Sequence, residues 1–236
     1  MFLSLPKNTQ GRDFFVGDIH GCFYLLSQAL DYVGFDTTSD RLFSTGDLID
    51  RGEFSEEVIH WLNQPYFYAI RGNHEQVLLD AVSGKCDEDY HRMMGGDWWY
   101  DLGLDRSTKK QIIRQLTQLP LMLEVPTKHG MIGLVHAEVW GSDWLRAKEI
   151  IELKPSVFYH KLCAISLWAR ERISHGDTSN VQHIDLVVAG HTPRTQPVVL
   201  GNVVYIDLGM GYHNEFHQGA PLFEASELFA LLHHNQ

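Results

Sequence analysis

Five short apolar runs of the sequence each end in polar side chains that could bind a metal ion. The first run leads into Gly17-Asp18-Ile19-His20-Gly21, where Asp18 and His20 alternate along an extended segment and therefore point to the same side. The other four runs end in Gly46-Asp47, Gly72-Asn73-His74-Glu75, His136 and Gly190-His191. Carboxylate, amide and imidazole ligands without thiolate suit manganese, iron or zinc and disfavour a purely hard magnesium or calcium cage.

These polar residues follow segments whose pattern predicts alternating strands and helices. Apolar runs at 14–16, 42–44 and 66–70 alternate with amphipathic stretches at 23–33, 56–62 and 75–82, which is the rhythm of a β-α-β-α-β unit. Ligands in open α/β sheets gather at the carboxyl ends of the strands. We therefore expect the five polar segments to meet at one edge of the fold.

The second half of the chain predicts strands in close pairs. Strands are expected at 121–125, 131–135, 184–189, 198–199, 203–206 and 228–232, and helices at 109–119 and 155–173. Short turns at Lys128-His129-Gly130 and Gly201-Asn202 indicate antiparallel hairpins beside the parallel unit. The predicted fold class is α/β, a mixed parallel and antiparallel β-sandwich flanked by helices, with a metal site at the carboxyl ends of the strands.

The chain is expected to form a single domain over residues 1–236, because it contains no repeat, low-complexity tract or linker-like stretch. The segment 84–106 is different in character, with poor periodicity, two adjacent glycines and the aromatic run Trp98-Trp99-Tyr100. We interpret it as an excursion over one rim of the site, a lid whose aromatic residues pack together rather than stack on a substrate.

Composition excludes several classes of protein. A net charge of −11 argues against binding to nucleic acid or to an anionic membrane surface. The chain starts without the pattern of a signal peptide and has no apolar run approaching about 18 residues, so we expect a cytoplasmic protein. Three cysteines without Cys-x-x-Cys spacing indicate neither a disulfide framework nor a thiolate zinc site. The oligomeric state is left open.

Three motifs in order carry a resemblance to a known family. Gly-Asp-Ile-His-Gly at 17–21, Gly-Asp-Leu-Ile-Asp-Arg-Gly at 46–52 and Arg-Gly-Asn-His-Glu at 71–75 are followed by His136 and by Gly-His-Thr at 190–192. In this order the motifs resemble those of the calcineurin-like metallophosphoesterases. Within that superfamily the chain is similar to the phosphoprotein phosphatases, especially the bacteriophage lambda phosphatase type and its short bacterial relatives, over residues 13 to about 207.

The resemblance implies a pair of divalent metal ions, with Mn²⁺ as the first expectation and iron or zinc as the others. The implied ligands are Asp18 and His20 for the first ion, Asn73, His136 and His191 for the second, and Asp47 as a bridge between them. The implied phosphate-binding residues are Arg51, Arg71 and Arg170, with Arg172 as the alternative to Arg170. Guanidinium groups match phosphate oxygens in pairs and stay charged at any working pH.

The implied reaction is hydrolysis of a phosphomonoester by a hydroxide that bridges the two metal ions, so that no phosphoenzyme is required. The resemblance makes His74 the general acid that protonates the leaving alkoxide, with Asp50 holding its imidazole. We expect a phosphoprotein or phosphopeptide substrate carrying phosphoserine or phosphothreonine, with phosphotyrosine left open. Two positive ions would also outweigh the carboxylates around them and draw phosphate into this groove of an acidic protein.

Two alternatives remain beside this interpretation. A hydrolase of dinucleoside polyphosphates or of other small phosphoesters would share all three motifs, although Trp168–Arg170 is more typical of the protein phosphatases. A non-catalytic module that binds phosphoproteins would be expected to have lost a ligand or the His74–Asp50 pair, and neither is lost. Met94 before the glycine pair and Leu208 after Asp207 depart from the family pattern, which weakens inferences about the substrate.

Overall fold

The computed structural model describes residues 1–153, 156–212 and 220–234. Within these residues the chain forms ten strands and ten α-helices, together with two short 3-10 turns at Ser55–Glu57 and Trp140–Ser142. The strands are β1 Phe2–Ser4, β2 Asp13–Val16, β3 Arg41–Ser44, β4 Phe67–Ala69, β5 Met122–Pro126, β6 Met131–Val135, β7 Leu186–Ala189, β8 Val198–Leu200, β9 Val203–Tyr205 and β10 Phe223–Glu224. The helices are α1 Phe23–Tyr32, α2 Val58–Leu62, α3 Asn73–Val82, α4 Glu88–Met93, α5 Asp97–Asp101, α6 Arg106–Gln118, α7 Trp144–Glu152, α8 Val157–Trp168, α9 Glu171–His175 and α10 Ala225–His234.

The strands form two sheets that combine parallel and antiparallel pairing. The six-stranded sheet has the order β1-β5-β6-β7-β9-β8 and the four-stranded sheet the order β10-β2-β3-β4. Strands β2, β3 and β4 are parallel, as are β6, β7 and β9. The pairs β5–β6 and β8–β9 are antiparallel, which confirms the hairpins predicted from the two short turns.

The side chains of each inner strand alternate between two cores, as the two-residue period of a strand requires. On β2, Phe15 enters the layer between the two sheets, whereas Phe14 and Val16 pack under the helices that cover the four-stranded sheet. On β7, Val188 enters the same inner layer while Val187 faces α7 and α8. The result is a helix-covered β-sandwich, which confirms the predicted fold class.

One predicted strand is wrong. Residues 228–232 lie in α10, where Leu228 and Leu232 are one helical turn apart and are both buried against the inner layer. A five-residue apolar run fits a buried strand and a helix equally well, so its periodicity did not decide between them. Strands β1 and β10, which pair at the outer side of each sheet, were not predicted.

The segment 84–106, which we call the rim segment, is more regular than its sequence suggests. It contains α4 and α5, and the Asp87 side chain caps the first of these by accepting a hydrogen bond from the Tyr90 backbone N–H. Trp98 and Trp99 are both buried, and their ring centroids lie 5.7 Å apart in an edge-on arrangement, so the two rings pack together. Poor periodicity in this segment therefore reflects two short helices rather than irregular chain.

The long helix expected at 155–173 is divided. Helix α8 ends at Trp168, Ala169 has extended backbone, and α9 starts at Glu171, while residues 154–155 lie outside the described residues. The break turns Arg170 out of helical geometry. Over the described ranges, no helix has the length and apolar character needed to cross a membrane.

Candidate metal centre

Seven polar side chains from five separate segments meet beyond the carboxyl ends of β2, β3, β4, β6 and β7. We call this cluster the crest; its members are Asp18, His20, Asp47, Asn73, His74, His136 and His191, and all seven are buried. Backbone hydrogen bonds join the segments: the His20 N–H donates to the Asp47 carbonyl at 2.8 Å, and the Gly190 N–H donates to the His136 carbonyl at 2.9 Å. The predicted convergence therefore occurs.

Two sets of three crest side chains could each hold a metal ion. His20, Asp47 and His74 form one triad, and Asp47, His136 and His191 form the other, with ligand atoms within 4.8 Å of one another in each. Asp47 belongs to both triads, because its Oδ2 lies 3.8 Å from His20 Nε2 and 3.4 Å from His136 Nε2. The Oδ1 atom of Asn73 lies 2.9 Å from His136 Nε2, so the asparagine joins the second triad.

Asp18 lies at the border of the crest, and among the described residues it belongs to neither triad. Its Oδ1 accepts a hydrogen bond from Thr45 Oγ1 and its Oδ2 one from the His191 backbone N–H, both at 2.9 Å. Both oxygens of Asp18 are thus engaged, and among the described residues His74 rather than Asp18 groups with His20. Asp18 still borders the centre, because its Oδ1 is 3.9 Å from His136 Nδ1.

Hydrogen bonds to Nδ1 of two imidazole rings direct their Nε2 atoms into the crest. His20 Nδ1 lies 3.0 Å from the Ile49 carbonyl, and His136 Nδ1 lies 2.8 Å from the Thr45 carbonyl. Histidine ligands of metals usually bond a carbonyl or carboxylate through their other nitrogen in this way. The Nε2 atoms of His74 and His191 are buried and have no hydrogen-bond partner among the described residues. Such orphaned buried atoms fit a centre that receives a cation or a substrate oxygen.

The protonation of the crest also fits a cation site. Burial opposes a charge on His136, but the carboxylates of Asp47 and Asp18 outweigh it and raise its pKa to about 10. Burial, reinforced by the charge on His136, lowers the pKa of His191 to about 3. The buried carboxylates therefore favour positive charge beside them, which a bound cation would also supply.

The loops that carry the crest residues have an unusual backbone. Seven non-glycine residues in the described ranges have positive φ, and five of them lie in these loops: His20, Asp47, Asp50, Arg51 and His191. Their φ values run from 47° to 71°. Left-handed backbone is uncommon for residues other than glycine and concentrates at functional sites, where the surrounding structure must compensate for the strain.

Glu75 holds two of these loops together. Its buried carboxylate accepts hydrogen bonds from the backbone N–H groups of Gly72 at 2.7 Å, Asp47 at 3.0 Å and Leu48 at 2.7 Å. Burial, with the nearby charge of Asp47, raises the pKa of Glu75 to about 7. Glu75 thus has a structural role, because it joins the loop before α3 to the loop that carries Asp47.

His74 and Asp50 form a buried pair at the edge of the crest. His74 Nδ1 lies 2.9 Å from Asp50 Oδ2, and the His74 backbone N–H donates to Asp47 Oδ1 at 2.9 Å. Burial alone would raise the pKa of the Asp50 carboxyl, but hydrogen bonds with His74 and His91 outweigh it and hold that pKa below its usual range. His74 is thereby oriented with Nε2 free.

Two predicted phosphate-binding arginines reach the crest and one does not. Arg51 Nη1 lies 2.7 Å from His20 Nε2, and Arg170 Nη2 donates to the His191 carbonyl at 3.3 Å. Arg71 instead donates to the carbonyls of Leu116 and Thr117, at 3.2 and 2.6 Å, where α6 ends. A guanidinium committed to helix-terminal carbonyls has a structural role, so the phosphate contact expected of Arg71 is not supported.

Arg172, the alternative to Arg170, is also structural. It is buried, and its Nη1 donates to the carbonyls of Asp177 and Ser179 at 2.8 and 2.6 Å. The two arginines therefore differ in their surroundings. Arg170, at the break between α8 and α9, is exposed next to His191, whereas Arg172 is buried and bonded to backbone carbonyls.

The sequence did not indicate that Asp207 lies beside the crest, nor that Asp50 has partners in the rim segment. Asp207 is buried after β9, and its charge contributes, after burial itself, to raising the pKa of Asp18 well above its usual range. Asp50 also accepts a hydrogen bond from Trp98 Nε1 and faces His91 Nε2. The strand-end rule could have identified Asp207, but no local signal marked the two rim residues as partners of Asp50.

Comparison with known proteins agrees with this geometry. The profile of the calcineurin-like phosphoesterase family matches residues 14–195. Serine/threonine-protein phosphatase 1 of Salmonella typhimurium is 36% identical over 197 residues, which cover 82% of this chain and 84% of that protein. A symmetrical bis(5'-nucleosyl)-tetraphosphatase of Actinobacillus succinogenes is 44% identical over 137 residues, or 56% of this chain and 45% of that protein.

A solved structure supports the fold. The crystal structure of a candidate diadenosine tetraphosphatase superposes with a TM-score of 0.61 and 23% identity, covering 95% of this chain and 92% of the other. At this identity the match concerns the fold alone. The family match extends over most of the chain, and its region includes every crest residue. The chain belongs to the calcineurin-like phosphoesterase family.

Proposed function

We propose that this chain is a phosphoprotein phosphatase that hydrolyses phosphoserine and phosphothreonine with the help of two divalent metal ions. The observation that carries the proposal is the position of Asp47, which two buried triads share, directly beside the His74–Asp50 pair. A shared carboxylate between two histidine-containing sites suits a pair of ions, and an adjacent buried histidine suits proton transfer.

The donor set supports Mn²⁺ as the preferred ion, with iron or zinc as alternatives, because it combines imidazole with carboxylate and amide oxygen. The residues that would hold the two ions are Asp18, His20 and Asp47 on one side, and Asp47, Asn73, His136 and His191 on the other. Asp18 stands here in place of His74, because each of its oxygens accepts one hydrogen bond and keeps a second lone pair for an ion. When bound, such ions supply Lewis acidity for the phosphoryl oxygens and acidify water towards neutral pH.

His74 has the geometry of a general acid. Its Nδ1 is held by Asp50 at 2.9 Å, which leaves the buried and unpartnered Nε2 as the atom that would give a proton to the leaving oxygen. Serine and threonine alkoxides are poor leaving groups, so a positioned acid contributes more to their release than to the release of an activated phenol. We therefore assign His74 to proton donation rather than to metal binding.

Arg51 and Arg170 would hold the phosphate at the open side of the crest. Both residues are exposed, and each contacts a crest histidine. Arg51 also stacks over the Tyr212 ring at 4.7 Å, which limits the positions of its guanidinium. Two cations and two arginines would attract a phosphate group in a protein whose net charge is −11.

A protein substrate is favoured over a dinucleoside polyphosphate because the similarity to a protein phosphatase covers more of the relative's length. The Salmonella phosphatase is similar over 84% of its own length, whereas the Actinobacillus tetraphosphatase is similar over 45% of its length. A tetraphosphatase activity is the second candidate, because that partial match is the more identical of the two.

The decisive experiment compares substrates on one preparation. The purified protein is stripped with a chelator, reloaded separately with Mn²⁺, Fe²⁺ or Zn²⁺, and assayed with phosphoserine peptide, phosphotyrosine peptide and diadenosine tetraphosphate. We expect metal-dependent release of phosphate from the phosphoserine peptide, fastest with Mn²⁺. Faster turnover of diadenosine tetraphosphate would replace the protein-phosphatase assignment, and activity unaffected by the chelator would contradict the metal dependence.

A further inference from the structure

Asp50 is held from two sides, and only one of these belongs to the crest. Its Oδ2 lies 2.9 Å from His74 Nδ1, while its Oδ1 accepts a hydrogen bond from Trp98 Nε1 at 2.7 Å and lies 3.3 Å from His91 Nε2. Asp50, His74 and His91 are fully buried, and Trp98 is nearly so. Two N–H-bearing rings of the rim segment therefore converge on the carboxylate that orients the proposed acid.

The His91 ring is itself fixed in place. Its Nδ1 lies 3.1 Å from the Tyr100 hydroxyl, so both ring nitrogens have partners. The backbone of Gly96 packs so closely against the imidazole that a Cβ atom at that position would clash with His91 Nε2. Helix α4 supplies His91 and α5 supplies Trp98 and Tyr100, so the packing of these two short helices sets the ring position.

A carboxylate bonded through one oxygen only can rotate about its Cβ–Cγ bond. Donors on Oδ1 from Trp98 and His91 oppose this rotation, because turning the carboxylate would leave buried polar groups without partners, at a cost of about 1–3 kcal/mol each. The plane of the Asp50 carboxylate, and with it the direction in which Oδ2 meets His74, is thus determined by the rim segment.

We propose that His91 is a positioning residue for the hydrolysis, acting through Asp50 on His74, with Trp98 sharing the same carboxylate oxygen. This inference rests on the proposed function, in which His74 protonates the leaving oxygen. The His91 ring forms its hydrogen bonds with Asp50 and Tyr100 rather than with the crest triads, so we expect it to act on the direction of the His74 imidazole. The rim segment is in this way a part of the catalytic apparatus and not merely a cover.

The test compares two replacements of His91 on two substrates. His91→Phe keeps a ring but removes both nitrogens, whereas the amide nitrogen of His91→Gln can still donate to Asp50 Oδ1. We expect His91→Phe to lower kcat for a phosphoserine peptide about tenfold, with KM nearly unchanged. This is the size of effect that is typical when a hydrogen-bond partner behind an active-site residue is removed. Hydrolysis of p-nitrophenyl phosphate, whose leaving group needs no proton, should change little, and His91→Gln should recover most of the loss. The exposed His60→Gln serves as the matched control.

Two further measurements separate positioning from general damage. In a His74→Asn background, His91→Phe should have no additional effect on phosphoserine turnover, since the group it positions is gone. In the metal-free protein, the downfield proton resonance of His74 Nδ1–H should be present in the wild type and shifted or lost in His91→Phe. If His91→Phe does not fold, Trp98→Phe removes a donor to the same oxygen while keeping an aromatic ring, and it should show the same selectivity for phosphoserine.

Equal slowing of both substrates, additive effects with His74→Asn, or an unchanged Nδ1–H resonance would overturn the positioning role. Failure of the proposed function has a different signature, because the wild-type protein would then not hydrolyse the phosphoserine peptide at all.

Discussion

The crest and the rim segment both contribute buried polar side chains to the centre, but they position them in different ways. Each crest residue lies a few positions after the end of a strand, and its place is set by backbone hydrogen bonds and by short loops with left-handed backbone. The rim residues that reach the centre, His91 and Trp98, are 41 and 48 residues away from Asp50 in sequence. Their contact depends on how two short helices pack.

This difference separates two functions of a buried polar group. The crest concentrates carboxylates and histidines in a small volume, where they could bind a cation. The rim segment contributes no ion ligand among the described residues and instead fixes the direction of one carboxylate. Changes in the crest should therefore remove metal and activity together, whereas changes in the buried rim should alter selectivity for the leaving group.

The largest effect is expected from Asp47→Asn, which removes the charge shared by both triads. Loss of metal stabilisation of several kcal/mol should lower kcat/KM by more than about a thousandfold. Metal analysis of the purified variant should find one ion or none in place of two. Asp31→Asn, an exposed change on α1, is the control. Two bound ions together with normal turnover in Asp47→Asn would contradict the proposal that Asp47 is shared by two metal ions.

His74→Asn should distinguish the two substrates more strongly than any rim variant. A lost general acid typically slows a reaction with a poor leaving group by about a hundredfold or more, and we expect this for phosphoserine peptide. Hydrolysis of p-nitrophenyl phosphate should fall far less, with bound metal unchanged. Steady-state kinetics on both substrates measure the ratio, and a parallel decrease would remove the acid role from His74.

Arg51 and Arg71 offer a comparison within adjacent motifs. Arg51→Ala should lower kcat/KM about ten- to a hundredfold, since a charge-assisted hydrogen bond contributes about 1.5–3 kcal/mol. Arg71→Ala should instead lower the free energy of unfolding by about 2 kcal/mol, because it leaves the terminal carbonyls of α6 without their donor. Denaturant unfolding and kinetics on both variants test the assignment. A catalytic defect in a fully stable Arg71→Ala would return that residue to phosphate binding.

The smallest effect is expected at Arg92, whose ion pairs with Glu88, Asp97 and Asp101 lie on the surface of the rim segment. Exposed ion pairs contribute little, so Arg92→Ala should change kcat/KM less than about twofold and hardly alter the melting temperature. A selective loss of phosphoserine turnover comparable to that of His91→Phe would show that surface charge, rather than the buried ring, orients Asp50.

Much of the fold was predictable because strand and helix periods are local. The first β-α-β-α-β unit and the two hairpins agree with their predictions, since turn residues and apolar alternation all lie within a few positions. The predicted strand at 228–232 failed because five apolar residues carry no distinguishing period. The break at Ala169 and the two rim helices were missed because neighbouring packing, not local pattern, defines them.

The sequence by itself determined the types and order of the candidate ligands and the strand ends that bring them together, because parallel strands place their carboxyl ends at one edge. Only the tertiary structure decided which side chains share Asp47, that Arg71 serves α6, and that Asp50 has partners in the rim segment. Such contacts join residues far apart in the chain, and their geometry follows from the packing of whole elements. No spacing along the sequence encodes a distance of that kind.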